Sequence, residues 1–338
     1  MRAFAVNEPG PIDEHPLVAV ERPVPTAGSG QLRVRVRACG VCRTDLHLAE
    51  GDLVPRRPLT VPGHEIVGVV DQIGPDTTGR FHMGDRVGIP WLASTCGACR
   101  FCQSGRENLC LHPSFTGWDR DGGYGDYALA EEAYAYGLPD AFNDETAAPL
   151  LCAGIIGYRA LKRSRLPAGG RLGIYGFGAS AHLTAQIAMA EGARVHVLTR
   201  SRAAQRLALE IGVDSAGGAQ DAPPEPLDSA ILFAPVGDLV PGCLAALDRG
   251  GTLAIAGIYL SEIPPLDYAK HLFEERALQS VTANTRDDGA EFLELAARIG
   301  IRVTTTAYPL SEANTALSDV ANDRVNGAAV LVNEPAGT

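Results

Sequence analysis

Arg171-Leu172-Gly173-Ile174-Tyr175-Gly176-Phe177-Gly178-Ala179-Ser180-Ala181 is the stretch on which the architecture turns. Arg171–Tyr175 reads as a short strand, and Ala179–Ala190 then takes up helical spacing. Between them Gly176 allows a tight turn, Gly178 lets the backbone approach a pyrophosphate, and Ala181 permits close packing of helix on strand. The helix start offers unpaired N–H groups and a positive dipole end to phosphate. Alone such a glycine pattern is weak evidence; its meaning comes from the alternating strands and helices around it.

Downstream, Arg194–Leu198 is apolar and β-branched, and Ser201–Ile211 is helical with Gly212 placed to cap it. Ser229–Phe233 and Thr252–Ala256 read as buried strands, with a helix at Leu239–Leu247 between them. Strands alternating with helices specify a parallel sheet with right-handed crossovers. Upstream of about residue 150 the character changes. Leu32, Val34, Val36 and Ala38 alternate with Arg33, Arg35 and Arg37, the period of a half-buried strand with a solvated basic face. Glu65–Ile73 is a second strand-like run, and dense turn signals between residues 50 and 125 suit a barrel-like domain with long loops. A final mixed segment, residues 285–338, opens with an amphipathic helix at Ala290–Ile299.

The chain has 338 residues, 46% hydrophobic and 20% charged, which excludes a disordered chain and suggests two domains. No apolar run approaches the ~20 residues that span a bilayer, and the first residues lack a signal-peptide core, so a cytoplasmic protein is expected. Lys+Arg is 29 against Asp+Glu 40, a formal net charge of −11, which disfavours nucleic acid and anionic membrane as partners.

Cys96, Cys99 and Cys102 follow one another at two-residue intervals, and Cys110 comes next. Disulfide frameworks belong to short secreted chains, and four thiolates around one ion explain this crowding better. A site with four thiolates has no open position and is structural. The second cluster is less decided. Cys39-Gly40-Val41-Cys42 could be a redox dithiol, or Cys42 could join His64 and Cys152 around a metal whose fourth position is free for substrate.

Taken in order, these features resemble the zinc-dependent medium-chain alcohol dehydrogenases over essentially the whole chain. The resemblance rests on Gly40–His47, Gly63–Glu65, the four-cysteine lobe, Leu151-Cys152-Ala153-Gly154, Gly176–Ala181 and Gly251–Gly257. It implies an α/β protein, a GroES-like β-rich catalytic domain plus a Rossmann doubly wound parallel sheet. Its domains would be residues 1–152, carrying a zinc lobe at about 91–112; 153–284, binding NAD(P); and 285–338, completing the catalytic domain. It implies two zinc ions per chain. Cys42, His64 and Cys152 would hold the catalytic one, with Glu65 beside it, and Cys96, Cys99, Cys102 and Cys110 the structural one. Asp45 would orient His64, Thr44 would accept the alcohol proton, His47 would pass it to solvent, and Arg43 would face the cofactor pyrophosphate. Zinc lowers the pKa of the alcohol hydroxyl, and hydride moves to the nicotinamide. Cys39 and Cys243 match no ligand position and read as small buried hydrophobes.

Departures exist: Ile156 stands where many relatives carry threonine, and the glycine pattern ends in Ala181. A polyol dehydrogenase or a quinone reductase is the rival within the superfamily, though quinone reductases generally lack both zincs. A non-enzymatic zinc protein is disfavoured by the intact ligands together with Thr44 and His47. The family also implies a homodimer or homotetramer, through a strand near Ala254–Ile258 extending its sheet across an interface. Trp91 falls in the segment that lines the alcohol pocket, favouring primary aliphatic or aromatic alcohols, and Leu53 replaces a bulkier ring of short-alcohol relatives. Finally, Thr199 and Arg200 occupy the place where NAD enzymes carry an acid ~20 residues past the glycine turn, so NADP is expected over NAD.

Overall fold

The structure, a computed structural model, describes Met1–Asn333. It divides into two units: Met1–Cys152 with Ala283–Ala297 and residues 303–333, and Ala153–Thr282 with Arg298–Arg302. Among the described residues no helix is long and apolar enough to cross a membrane.

The spine of the first unit is the strand Gln31–Val41. Leu32, Val34, Val36 and Ala38 are buried, while Arg35 and Arg37 face solvent and Arg33 pairs with Asp71 at 2.8 Å. The strand lies antiparallel to Ile66–Ile73, Ala328–Val332 and Tyr127–Glu131 in a seven-stranded sheet. Past Ala38 the alternation stops, and Cys39, Gly40 and Val41 are all buried. The chain has run from the sheet surface into the interior of a site, and the helix Arg43–Glu50 starts there.

The second unit is a six-stranded sheet, parallel throughout. Its order is Ser215–Gly217, Arg194–Leu198, Arg171–Tyr175, Leu227–Leu232, Leu247–Ile255, Ala277–Ser280. Sequence neighbours flank Arg171–Tyr175 on opposite sides, so its carboxyl end is the topological switch point where such sheets take ligands. Gly176 occupies that point with φ +85, and a Cβ there would lie 2.8 Å from the Ala234 nitrogen, so only glycine fits. The helices Ala179–Ala190 and Arg202–Glu210 follow as the periodicity predicts, the second capped by Ser201 Oγ accepting from the Ala204 N–H.

Three expectations change. The helix expected at Leu239–Leu247 spans Val240–Ala245, and Leu247 already opens the strand Leu247–Ile255. The helix expected at Ala290–Ile299 begins at Arg286, because Asp287 and Asp288 in its first turn complement the dipole and it tolerates Gly289. The strand expected to reach Ile258 ends at Ile255, after which the Ala256 N–H bonds to the Leu232 carbonyl and Gly257 leaves the ladder. That strand is paired on both sides, and the sheet edge on that flank is Ala277–Ser280.

Arg171 ties the start of the sheet together. Its guanidinium bonds both oxygens of Asp228 on the next strand, at 2.9 and 2.6 Å, and Asp248 on the one beyond, at 2.9 Å. This hydrogen bonding holds the Asp228 carboxyl below its ordinary range, so its contribution is present above pH ~4 and is lost as pH falls through the lowered value. Asp228→Asn is expected to cost about 2 kcal/mol at neutral pH. The difference from wild type should shrink as denaturant melts are repeated down to pH ~3. A gap that stays constant over that range would refute the assignment.

Candidate active site

Asp45 is the centre of the construction. Only 2% exposed, its carboxylate accepts from the Cys42 N–H at 2.9 Å, the Gly63 N–H at 3.0 Å and the Tyr124 hydroxyl at 3.3 Å, and it lies 3.1 Å from His64 Nδ1. The first bond is local, three residues along the helix start; the others bring in two distant segments. With Nδ1 turned to Asp45, His64 Nε2 is buried and has no hydrogen-bond partner.

The His64 ligand nitrogen, the sulfurs of Cys42 and Cys152 and a carboxylate oxygen of Glu65 lie within 4.8 Å of one another. A buried imidazole nitrogen without a partner carries a desolvation cost, and a metal ion among two sulfurs and a carboxylate removes it. The residues therefore fit a zinc ion. Cys42 is held well below the ordinary thiol range by the Cys152 thiol that bonds it and by His64, against the opposing effect of burial. Burial pushes Glu65 well up, and the Cys42 charge adds to it. Gly40 makes room for that carboxylate, since a Cβ there would sit 1.8 Å from Glu65 Oε2.

In the lobe, the sulfur separations are 3.4 Å for Cys96–Cys110, 3.6 Å for Cys99–Cys102 and 4.0 Å for both Cys96–Cys102 and Cys99–Cys110. A disulfide is ~2.05 Å, whereas a tetrahedron with Zn–S of ~2.3 Å has edges of ~3.8 Å. Backbone N–H groups of Cys102 and Leu111 point at Cys99 and lower it to about 6, while burial raises Cys110 to about 11. Glu107, inside the lobe, is clamped by Arg286 through both carboxylate oxygens, at 3.0 and 2.7 Å. The spacing of the cysteines does not announce this pair.

Around the first cluster, Thr44 is 8% exposed with Oγ1 3.7 Å from Cys42 Sγ. His47 Nδ1 lies 2.9 Å from Asp52 Oδ2, and Asp52 is largely exposed. Trp91 stands edge-on to His64, centroids 4.8 Å apart, and stacks on Phe115 at 4.9 Å and Trp118 at 6.1 Å. Arg56 caps the far ring, 3.7 Å above Trp118, whose Nε1 donates to the Val54 carbonyl. Phe115, Trp118, Tyr124 and Asp52 escaped the sequence reading. Asp52 was within reach of it, one residue past the Gly51 cap of the helix that carries His47. Leu53 packs against the core.

Arg43 pairs at the surface with Asp323 at 2.6 Å. In the second unit Gly178 opens the helix Ala179–Ala190 with no side chain capping it, and a Cβ on Gly178 would meet no atom within 4 Å. That open cradle above uncapped N–H groups fits a pyrophosphate. Ala181 is fully buried beneath it. Thr199 is 6% exposed at the strand end and Arg200 is exposed.

Residues 28–140 match the alcohol dehydrogenase GroES-like domain. The chain is 55% identical over 336 residues to "Probable alcohol dehydrogenase AdhA" of Mycobacterium tuberculosis, covering 98% of this chain and 97% of the relative. Among solved structures it superimposes on a cobalt- and zinc-bound thermostable alcohol dehydrogenase from Pyrobaculum aerophilum with TM-score 0.88 at 25% identity, covering 98% of this chain and 99% of that one. It superimposes equally well on a CAD from Helicobacter pylori complexed with NADP(H), with TM-score 0.89 at 26% identity, covering 98% and 97%. The chain belongs to the zinc-containing medium-chain alcohol dehydrogenases. It is an NAD(P)-dependent alcohol dehydrogenase, an oxidoreductase with two candidate zinc sites.

The two clusters should answer differently to loss of a thiol. Wild type is expected to carry two zinc ions per chain by elemental analysis. Cys42→Ser should keep the lobe ion, melt within a few degrees of wild type and lose turnover. Cys99→Ser should lower Tm by roughly 10 °C, because metal binding in the lobe is coupled to its folding. Equal effects of the two substitutions on Tm would contradict the division.

Proposed function

We propose that this enzyme oxidises unbranched or flat aromatic primary alcohols reversibly with NADP. The observation that carries the reading is the unpartnered His64 Nε2 set among Cys42, Cys152 and Glu65, with the Trp91 ring at its edge. Cys42, His64 and Cys152 would hold the catalytic zinc, with Glu65 beside it, and Cys96, Cys99, Cys102 and Cys110 would hold the structural one. When bound, zinc supplies a Lewis acid that makes a hydroxyl acidic, and NAD(P) supplies the hydride acceptor.

The chain's own groups do the rest. Asp45 fixes the His64 tautomer, presenting Nε2 inward and raising its basicity. Thr44 Oγ1 accepts the hydroxyl proton as it gives up its own, and His47 passes a proton outward beside exposed Asp52. Trp91, Phe115 and Trp118 form an aromatic wall that a flat or unbranched substrate can lie against, and a branched carbinol carbon meets the Trp91 ring. Gly176, Gly178 and Ala181 seat the pyrophosphate. The family resemblance assigns to Arg43 the guanidinium that would face the pyrophosphate, and its pair with Asp323 is an exposed one worth at most about 1 kcal/mol.

NADP is supported by the chemistry of the second strand end. Thr199 replaces the acid that would repel a 2′-phosphate, and Arg200 and Arg202 offer guanidinium groups suited to one. The Helicobacter pylori relative is complexed with NADP(H). A homodimer or homotetramer is supported by exposed Ile258, Tyr259, Ile263, Tyr268 and Phe273, grouped in sequence beside the edge strand Ala277–Ser280. Six thiols given to metal sites, with Cys39 and Cys243 as buried thiols, suit the reducing cytoplasm.

Steady-state rates with benzyl, cinnamyl and unbranched alcohols, against a secondary alcohol, test the substrate class with each coenzyme. The primary alcohols should lead, NADP should win by tenfold or more in kcat/KM, about 1.4 kcal/mol, and Trp91→Ala should raise relative activity on the secondary alcohol. An NAD preference of that size, or an unchanged profile in Trp91→Ala, would overturn the corresponding part. For the relay, His47→Gln should slow oxidation about tenfold or more, most strongly near and below neutral pH, and exogenous imidazole should restore part of the rate. An unaltered pH–rate profile removes His47 from the mechanism.

A further inference from the structure

We propose that Gln205 is a positioning residue for coenzyme discrimination, its buried amide, anchored on the Thr199 carbonyl, holding Arg202 where the adenosine 2′-phosphate is met. The inference rests on the NADP reading above.

The helix Arg202–Glu210 buries two residues, Gln205 and Ala208, one turn apart on its inner face. An apolar side chain at position 205 would satisfy that face without needing partners, whereas a buried amide demands them. Gln205 finds three. Its Nε2 donates to the Thr199 carbonyl at 2.7 Å and the Gly217 carbonyl at 3.1 Å, and its Oε1 accepts from Arg202 Nη1 at 3.2 Å. The Thr199 N–H also donates to the Gly217 carbonyl at 2.9 Å. One amide therefore locks the carboxyl ends of two neighbouring strands and one guanidinium from the solvent-facing start of the helix.

This clamp lies at the sheet rim that reads the ribose in folds of this kind. With an acid at position 199, a carboxylate would select the coenzyme by itself. With threonine there, selection falls to arginine, a long side chain that loses much rotamer freedom when it grips a phosphate. Gln205 removes part of that freedom beforehand, and Ser201 is occupied as the helix cap, leaving the orientation of Arg202 to the amide.

The test uses the full-length protein and measures the binding of 2′,5′-ADP and 5′-AMP by titration calorimetry, with no turnover involved. Wild type should bind 2′,5′-ADP about tenfold tighter or more. Gln205→Met, which keeps the volume and removes the donors and acceptor, should cut that ratio about fivefold and change 5′-AMP binding less than about twofold. Arg202→Gln should lower the ratio as well, and the double substitution should lower it no further, because Gln205 acts through Arg202. A ratio unchanged in Gln205→Met, or losses that add in the double variant, overturns the inference and leaves the coenzyme reading standing. No preference in wild type overturns both. Arg202→Gln changes an exposed residue and keeps the test open if Gln205→Met fails to fold: a full preference retained in it also overturns the inference.

Discussion

A buried carboxylate cannot stay charged without donors, and Asp45 shows how a chain uses that demand. Its two oxygens draw together the start of one helix at Cys42, the turn at Gly63-His64 and the strand approach at Tyr124. Removing any one donor leaves the others to carry a charge that is only 2% exposed, a costly situation in a low-dielectric interior. The network is therefore self-enforcing, and its by-product is the orientation of His64. With Nδ1 committed to Asp45, the other nitrogen has nowhere to turn but toward the sulfurs. Site geometry here is a consequence of charge burial.

How much of this is legible from sequence depends on distance along the chain. The lobe is the easiest case: Cys96, Cys99, Cys102 and Cys110 sit within fifteen residues, so spacing and geometry nearly coincide. The glycine turn is similar, because Gly176 and Gly178 act on backbone immediately beside them. Tyr124 is the opposite. Nothing in its neighbourhood reports that its hydroxyl ends against Asp45, 79 residues away. The stack of Trp91 on Phe115 and Trp118 fails to appear for the same reason: Trp91 reads as a pocket residue by its place in the chain, but nothing in sequence ties the other two rings to it. Helix ends are a third case: Asp287 and Asp288 carry the signal for an earlier start, but Gly289 masks it.

The two units use opposite strategies at their strand ends. In the first, Gln31–Val41 runs on past its alternating region so that three successive buried residues lead into Cys42. In the second, strands stop promptly and the turns after them hold the functional groups. Gly176 closes one such turn by steric necessity, with φ +85. Thr199 closes the next by hydrogen bonding, its N–H and carbonyl both engaged. Both devices act on the backbone at the carboxyl rim of the sheet, one by shape and one by hydrogen bonding.

Charge counting explains why two sites of such similar chemistry are buried so differently. Four thiolates around a divalent ion leave a net charge of −2, which an interior cannot accommodate cheaply. Cys96 is exposed accordingly, and the backbone N–H groups of Cys99 and His112 are directed at the sulfurs of Cys96 and Cys110 to spread the excess. Two thiolates and a neutral imidazole would sum to zero around the same ion, the Asp45 charge being held by its own donors, and His64 and Glu65 sit at 1% and 3% exposure. Until an ion is bound, burial is the main force holding the Glu65 carboxyl well up, with the charges of Cys42 and Asp45 adding to it and His64 opposing. A neutral set can take one more anionic donor only briefly, which is what a site needs if its last position is to be surrendered to a substrate oxygen. In the lobe a fourth thiol stands in that position, a set suited to an ion that is never exchanged for substrate.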